Sequence, residues 1–236
     1  MAEKAFITTD ILKWARESAK ISVEDAAKKI SISPERYLAW ENGNGFPTIR
    51  QAKILAKYFR RPFSLFFLPE IPKDFHPLKD YRKDDAQELD TASLFIIRDI
   101  QEKQNWIKEF YEEIGEDELP FVGKFTINDN PEVVAKDILD TLKINPSNYK
   151  KSPINEWIEK AEIAGVFVSR TSYLHSRLTL DKDLIQGFAI ADKFAPFVFV
   201  NSKNWNAPQL FTLVHELAHI WIAKSGISNE IDIDLT

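Results

Sequence analysis

Apolar residues recur every three or four positions over most of this chain, and this period predicts α-helices. Before residue 70 it predicts five short helices, near Thr9–Ala19, after Ser22, Ser33 and Thr48, and within Pro62–Leu68. The residues Ser22, Ser33 and Thr48 are common N-caps, and Asp25 and Gln51 stand three positions after two of them, as in a capping box. Short helices with brief connections predict a compact all-α bundle.

After residue 90 the pattern becomes mixed. It predicts a long amphipathic helix from Thr91 and two further helices at Pro131–Leu142 and Pro153–Ala164. Short apolar runs then predict strands at Gly165–Ser169, Gly187–Ala191 and Pro196–Val200, the last two joined as a hairpin. Helices, a small sheet and then one more helix predict an α+β fold.

The last predicted helix carries Leu210, Val214, Leu217 and Trp221 at steps of four, three and four residues. This spacing predicts one buried stripe. We expect Asn206 to cap the N-terminus of this helix and Gly226 to stop it.

Within the same helix, His215, Glu216 and His219 form the H-E-x-x-H arrangement of metallopeptidases. Two imidazoles four residues apart share one helical face, about one turn apart, and can bind one metal ion such as Zn²⁺. Glu216 lies beside them and can act as the base that takes a proton from water. The alternative is a core helix that has two histidines at this spacing by chance.

Composition narrows the class of protein. The chain has 236 residues, 44% hydrophobic and 28% charged, which is the make-up of a globular protein of one large or two small domains. Cysteine is absent, which excludes disulfides and thiolate zinc sites. The sequence has no apolar run of about 18 residues and no secretory signal pattern, so we expect a cytoplasmic protein with no membrane partner.

Charge is distributed unevenly along the chain. Residues 1–61 contain 12 Lys and Arg against 7 Asp and Glu, a net charge of +5, and the remaining residues contain 19 against 29, a net charge of −10. A basic module on an acidic body favours contact between the first module and a polyanion. Chance scatter of charge is the alternative.

The second and third predicted helices are separated by Ser31-Ile32, and the small Ala27 stands where they would cross, which predicts a helix-turn-helix. Residues 9–60 resemble the Xre (phage-repressor-like) helix-turn-helix family. The matching residues are Leu12, Arg16, Glu17, Ser22, Ala26, Ala27, Ile32, Ser33, Tyr37, Glu41, Asn42, Gly43, Pro47, Leu55 and Ala56. The family usually has Gly where this chain has Ser31, and a left-handed non-glycine residue costs roughly 1 kcal/mol.

This resemblance implies binding of double-stranded DNA through the helix that opens at Ser33. Positions that read bases in the family correspond to Pro34, Glu35, Arg36 and Ala39. Arg36 can bridge guanine O6 and N7, whereas Glu35 can accept only from cytosine. Pro34 and Ala39 offer no hydrogen-bonding side chain.

Further candidates for DNA contact stand around that helix. Lys28, Lys29 and Arg50 can neutralise phosphates, and Asn42 and Asn44 resemble the phosphate-contacting loop of the family. A solvated charged face is the alternative for these side chains. The whole module could instead serve in protein docking or dimerisation.

The predicted sheet followed by Gln209–His219 resembles the ImmA/IrrE family of metallopeptidases, and Val198–Asn201 and Phe67–Glu70 add to the match. The resemblance implies a minimal zincin-like domain in which His215 and His219 bind Zn²⁺ and Glu216 is catalytic. It also implies that an edge strand near Phe197–Asn201 pairs with an extended substrate. We therefore expect a helix-turn-helix domain at 1–68, a linker at 69–90 and a metallopeptidase domain at 91–236.

The family takes its third metal ligand, a Glu, from a helix after the motif. Glu230, Asp232 and Asp234 are the carboxylates that follow the motif here, so we expect an incomplete domain unless Glu230 is a ligand. One function that fits is a DNA-binding regulator that cleaves a specific partner protein, such as a repressor. The other is a non-catalytic antitoxin or transcriptional repressor whose peptidase-like domain binds a partner toxin. Either is compatible with a homodimer.

Overall fold

The computed structural model describes residues 3–72, 78, 88–175 and 178–228. Contacts divide the chain into two compact units, Met1–Pro77 and Leu78–Thr236. No helix within the described ranges is long and apolar enough to cross a membrane.

The first unit is built from short helices. They are α1 (Thr9–Glu17), α2 (Val23–Lys29), α3 (Pro34–Glu41), α4 (Ile49–Tyr58) and a 3-10 helix at Phe63–Phe67. Their apolar faces meet in a core whose fully buried members include Leu12, Tyr37, Leu55, Phe59 and Phe66. The predicted all-α bundle is confirmed.

The predicted capping residues begin these helices. The Ser22 hydroxyl accepts from the Asp25 amide at 3.0 Å, and the Ser33 hydroxyl accepts from the Arg36 amide at 3.3 Å. Thr48 and Gln51 form a full capping box at the start of α4. Each cap satisfies backbone donors that the first turn of a helix leaves without a partner, so the helix boundaries follow from local chemistry.

The turn between α2 and α3 has the geometry that the sequence predicts. Ser31 has a φ of +56°, in the left-handed region, and Ala27 is fully buried in α2, which packs against α3. The absence of a large side chain at Ala27 allows the two helices to approach each other closely.

A buried ion pair ties α1 to α3. The Arg16 guanidinium donates to both oxygens of Glu41, Nε to Oε1 at 2.8 Å and Nη2 to Oε2 at 2.9 Å, and Nη1 donates to the carbonyl of Ile21 at 3.1 Å. The bond to Glu41 raises the pKa of Arg16 against the opposing effect of burial. This bidentate geometry fixes the two helices relative to each other.

The second unit combines helices with two sheets. Its helices are α5 (Thr91–Ile114), α6 (Pro131–Leu142), α7 (Pro153–Ile163) and α8 (Asn206–Trp221). Its strands are β1 (Phe167–Thr171), β2 (Tyr173–His175), β3 (Leu178–Thr179), β4 (Gly187–Ile190), β5 (Phe197–Asn201) and β6 (Gly226–Ser228). The predicted α+β fold class is therefore confirmed.

The main sheet has the strand order β1-β5-β4-β6. Strand β5 runs parallel to β1 and antiparallel to β4, and β6 pairs antiparallel with β4. The prediction that Phe197–Asn201 is an edge strand is wrong, because both of its sides carry ladder hydrogen bonds. Among the described residues, the outer strands of this sheet are β1 and β6.

Both faces of the main sheet are covered. On one face, Ala189, Val198 and Val200 pack with Leu217 and Trp221 of α8 and with residues of α6 and α7. On the other, Phe188, Ile190, Phe197 and Phe199 pack with Ile96, Ile97 and Ile100 of α5. Strands β4 and β5 are consequently buried along their whole length.

The boundaries of α8 differ from those predicted. The N-cap is Trp205 rather than Asn206, which is already helical and whose Oδ1 accepts from Arg170 Nη2 at 3.1 Å. The helix ends at Trp221, and Gly226 begins β6 instead of stopping the helix. The side chain of Asn206 accepts a hydrogen bond from Arg170 of β1 instead of capping the helix.

Candidate active site

The histidine pair lies on α8, which packs on β4 and β5. The His215 and His219 Nε2 atoms are 3.1 Å apart, and both side chains are partly exposed. Two nitrogens that bind one zinc ion at about 2.0–2.1 Å stand roughly 3.3 Å apart at a tetrahedral angle. The two imidazoles therefore have the spacing that one ion requires.

The local environment favours the ligand form of His219. Burial lowers the pKa of this imidazole to about 4, and electrostatic interactions with His215 and Lys224 act in the same direction. Near neutral pH the ring is then uncharged, and the neutral imidazole is the form that binds a metal.

Glu216 lies between α8 and the sheet and is fully buried. Gly187 of β4 makes room for it. A Cβ at that position would stand 3.1 Å from Glu216 Oε1, 2.5 Å from Thr212 Cγ2 and 2.9 Å from the carbonyl oxygen of Phe199. The missing side chain of Gly187 is therefore what allows α8 to bring this carboxyl group so close to the strand.

Other side chains hold α8 in place, and they were missed by the sequence analysis. Arg170 Nε on β1 donates to Gln209 Oε1 at 2.5 Å, and the Gln209 amide reaches the carbonyls of Ser202 and Asn204 in the β5–α8 connection. The Phe211 ring stacks on His215 with centroids 6.2 Å apart. The H-E-x-x-H pattern carries no signal for Arg170 and Gly187, because they lie far from it in sequence.

The candidate metal site consists of two histidines within the described part of the chain. No group of three or more His, Asp or Glu side chains that could hold a metal ion is found among the described residues. Glu230, Asp232 and Asp234 lie outside the described residues. The third-ligand prediction is therefore untested.

The candidate DNA-binding residues all lie on the surface of the first unit. Lys28, Arg36, Asn42, Asn44 and Arg50 are exposed. Asn42 is the C-cap of α3, and the backbone N–H of Asn44 donates to the carbonyl of Ala39 at 2.7 Å. These placements leave their side chains open to solvent and thus to DNA.

The three remaining candidates, Lys29, Ser33 and Glu35, each contact another side chain of the same unit. The Ser33 hydroxyl bonds to the Glu35 carboxylate and lowers its pKa. Lys29 Nζ lies 5.0 Å from the centroid of the Tyr58 ring. Lys29 and Arg50 both line one cavity of about 670 Å³, so two cations predicted to contact phosphates face the same space.

Comparison with known protein families assigns each unit. Residues 12–66 match the model of the helix-turn-helix family, and residues 161–235 match the model of the IrrE N-terminal-like domain, a peptidase family. The chain joins a helix-turn-helix domain to an IrrE N-terminal-like domain. No curated protein and no solved structure matches the chain.

The helix-turn-helix match covers α2, the Ser31 turn and α3, which are the elements that carry DNA-contacting residues in such domains. The IrrE N-terminal-like match begins in α7 and extends over the main sheet and α8. Helices α5 and α6 precede it. The predicted fusion of an Xre-like module with an ImmA/IrrE-like module is thereby confirmed.

Proposed function

We propose that this chain is a DNA-binding regulator whose IrrE N-terminal-like domain is a zinc-dependent peptidase that cleaves a specific partner protein, such as a repressor. One observation carries the proposal. On α8, His215 and His219 hold their Nε2 atoms 3.1 Å apart, and the next residue after His215 is the fully buried Glu216. A scaffold that only held a partner would have no need of a carboxylate at that position.

The histidines and Glu216 would have different roles in the reaction. His215 and His219 would hold the ion, and bound Zn²⁺ would polarise a peptide carbonyl and make water more acidic. Glu216 would take a proton from the attacking water and pass it to the leaving amine. Because this carboxyl group is fully buried, it would exchange its proton with the attacking water and not with bulk solvent.

Metal binding can be tested on the purified protein. Mass spectrometry of metal content should show zinc in the wild-type chain and in Glu216→Gln, and none above background in His215→Ala/His219→Ala. The described residues supply two ligands, whereas catalytic zinc normally has three, so we expect the zinc to be lost readily to a chelator. Equal zinc in all three proteins would contradict the assignment of the histidines.

Cleavage can be tested without knowing the substrate. Cells that express the wild-type chain and cells that express Glu216→Gln are compared by labelling and sequencing protein N-termini. The substitution keeps the shape of the side chain and removes the base. We expect new N-termini from one or a few proteins with the wild-type chain only, and identical sets would contradict a peptidase.

The second candidate function is a non-catalytic antitoxin or repressor whose peptidase-like domain holds a partner toxin. The two-imidazole ligand set of the described residues favours it. Under this function, Glu216→Gln leaves both the N-termini and the binding of the partner unchanged. The same labelling experiment therefore decides between the two functions.

We further propose that the helix-turn-helix domain contacts double-stranded DNA through Arg36 and Glu35 at bases and through Lys28, Lys29 and Arg50 at phosphates. Ser33 would open the recognition helix, and Asn42 and Asn44 would contact the backbone. The exposure of Arg36 and Lys28 supports this assignment.

A further inference from the structure

The C-terminal half of helix α5 exposes two aromatic side chains. The N-terminal half packs Ile96, Ile97 and Ile100 against the sheet. In the C-terminal half, Trp106 and Phe110 are 67% and 45% exposed, and we call these two residues the aromatic stripe. The Trp106 and Phe110 rings stack with centroids 6.0 Å apart and an interplanar angle of 8°. Surface aromatics arranged in this way commonly mark an interaction site.

The aromatic stripe lies within a longer pattern. Lys103, Trp106, Phe110 and Glu113 follow one another at steps of three, four and three residues, and all four are exposed. This is the spacing of the a and d positions that line a coiled-coil seam. The seam has aromatic rings at its centre, a cation at one end and an anion at the other.

We propose that this face of α5 is an interface with a second copy of the chain, in which the two α5 helices run antiparallel around a two-fold axis near residue 108. In that arrangement Trp106 of one copy lies against Phe110 of the other, and Lys103 lies against Glu113. Each contact occurs twice, as a two-fold interface requires.

Charge decides the direction of the pairing. A parallel pair would set Lys103 against Lys103 and Glu113 against Glu113, whereas the antiparallel pair sets opposite charges together at both ends. The present partner of Lys103 is Asp99, at 2.7 Å, and both side chains are largely exposed. Such a pair contributes little, so Lys103 can turn to another carboxylate at small cost.

The size of the aromatic stripe determines how tightly we expect the two copies to bind each other. Buried aromatic side chains remove about 150–250 Å² each from water. The face is smaller than the roughly 800 Å² per partner of a standard interface, so we expect a weak dimer that dissociates at roughly micromolar concentration. Association should therefore depend on concentration.

Sedimentation velocity of the full chain between roughly 1 and 100 μM tests the proposal. We expect the wild-type protein to shift from monomer to dimer over this range. Trp106→Glu should raise the dimer dissociation constant by at least about 30-fold, as for a central interface residue. Ile163→Glu is the control, because Ile163 is 72% exposed and lies on α7, which packs on the opposite face of the main sheet from α5. That variant should dimerise like the wild type.

Charge reversal tests the antiparallel register. Lys103→Glu and Glu113→Lys should each weaken the dimer, and Lys103→Glu/Glu113→Lys should restore it. These exposed positions keep the test decisive even if Trp106→Glu impairs folding. A wild-type monomer at every concentration, or a dimer unaffected by Trp106→Glu, would overturn the proposal and leave the stripe to a different protein. A double variant as weak as the single ones would overturn the antiparallel pairing.

Discussion

At the scale of single residues, backbone conformation explains the role of Ser31, and the absence of a side chain explains the role of Gly187. Ser31 adopts the left-handed conformation that the sequence predicts from its place in the helix-turn-helix, and its φ is +56°. Gly187 is the opposite case, because nothing in the local sequence marks it. Its importance arises from α8, which lies close to it although the two are distant along the chain.

Ser31→Gly should raise the free energy of unfolding by up to about 1 kcal/mol, because glycine adopts a positive φ without a steric penalty. Ser18→Gly is the control. Ser18 has a φ of −65°, and its hydroxyl donates to the carbonyl of Ala15 at 3.2 Å. The same change there relieves no strain, adds unfolded-state freedom and removes this hydrogen bond, so it should lower stability. Thermal unfolding of the two variants would measure the difference, and an equal loss in both would contradict the explanation.

Gly187→Ala should lower the free energy of unfolding by about 1–3 kcal/mol, because its Cβ would overlap Thr212 and crowd Glu216. Adding Thr212→Ser removes the nearest methyl group, at 2.5 Å, and should recover part of the loss. Chemical denaturation of both variants measures the effect. A fully stable Gly187→Ala would show that α8 can move away from β4 freely.

At the scale of elements, the sequence predicted what depends on local pattern. The apolar period was sufficient to place α5, α6 and α7. The caps at Ser22, Ser33 and Thr48 were sufficient to place the starts of α2, α3 and α4. Strands β2, β3 and β6 have two or three residues each, too few for a period, and they were missed. The order of strands depends on pairing between distant segments, which is why β5 was wrongly placed at an edge.

The ion pair between Arg16 of α1 and Glu41 of α3 gives a prediction about how much the contact between these two helices stabilises the first unit. The Glu41 side chain is 3% exposed and the Glu17 side chain is 54% exposed, and both contact Arg16. Glu41→Gln should cost about 3–5 kcal/mol, because it leaves a buried guanidinium without its counter-charge. Glu17→Gln should change stability by less than about 1 kcal/mol. Similar losses in calorimetry of the two variants would show that water reaches Arg16 easily.

At the scale of the whole molecule, the chain joins a basic unit to an acidic one. The helix-turn-helix domain and the IrrE N-terminal-like domain were recognisable because short motifs carry them: the capped turn around Ser31 and the H-E-x-x-H of α8. A third metal ligand stays a prediction, because Glu230, Asp232 and Asp234 lie outside the described residues. The boundary proposed at residues 69–90 stays a prediction.

Binding of DNA gives a prediction for the full chain. Arg36→Ala should lose about 1–3 kcal/mol of discrimination between the preferred sequence and its variants. Lys28→Ala should weaken binding to all sequences alike and reduce the salt dependence by about one unit of slope. Fluorescence anisotropy with duplexes selected from a random library, at several salt concentrations, measures both. An absence of any affinity at low salt would favour a docking role for the module.

The sheet that supports α8 has a consequence for the motions of the protein. Strands β4 and β5 have a hydrogen-bonded neighbour on each side and a packed layer on each face, so we expect their amides to be protected from local opening. Their deuterium uptake should be the slowest in the domain and should report unfolding of the entire unit. Glu216, which lies next to Gly187 of β4, is therefore supported by the strands that we expect to be the last to unfold in this domain.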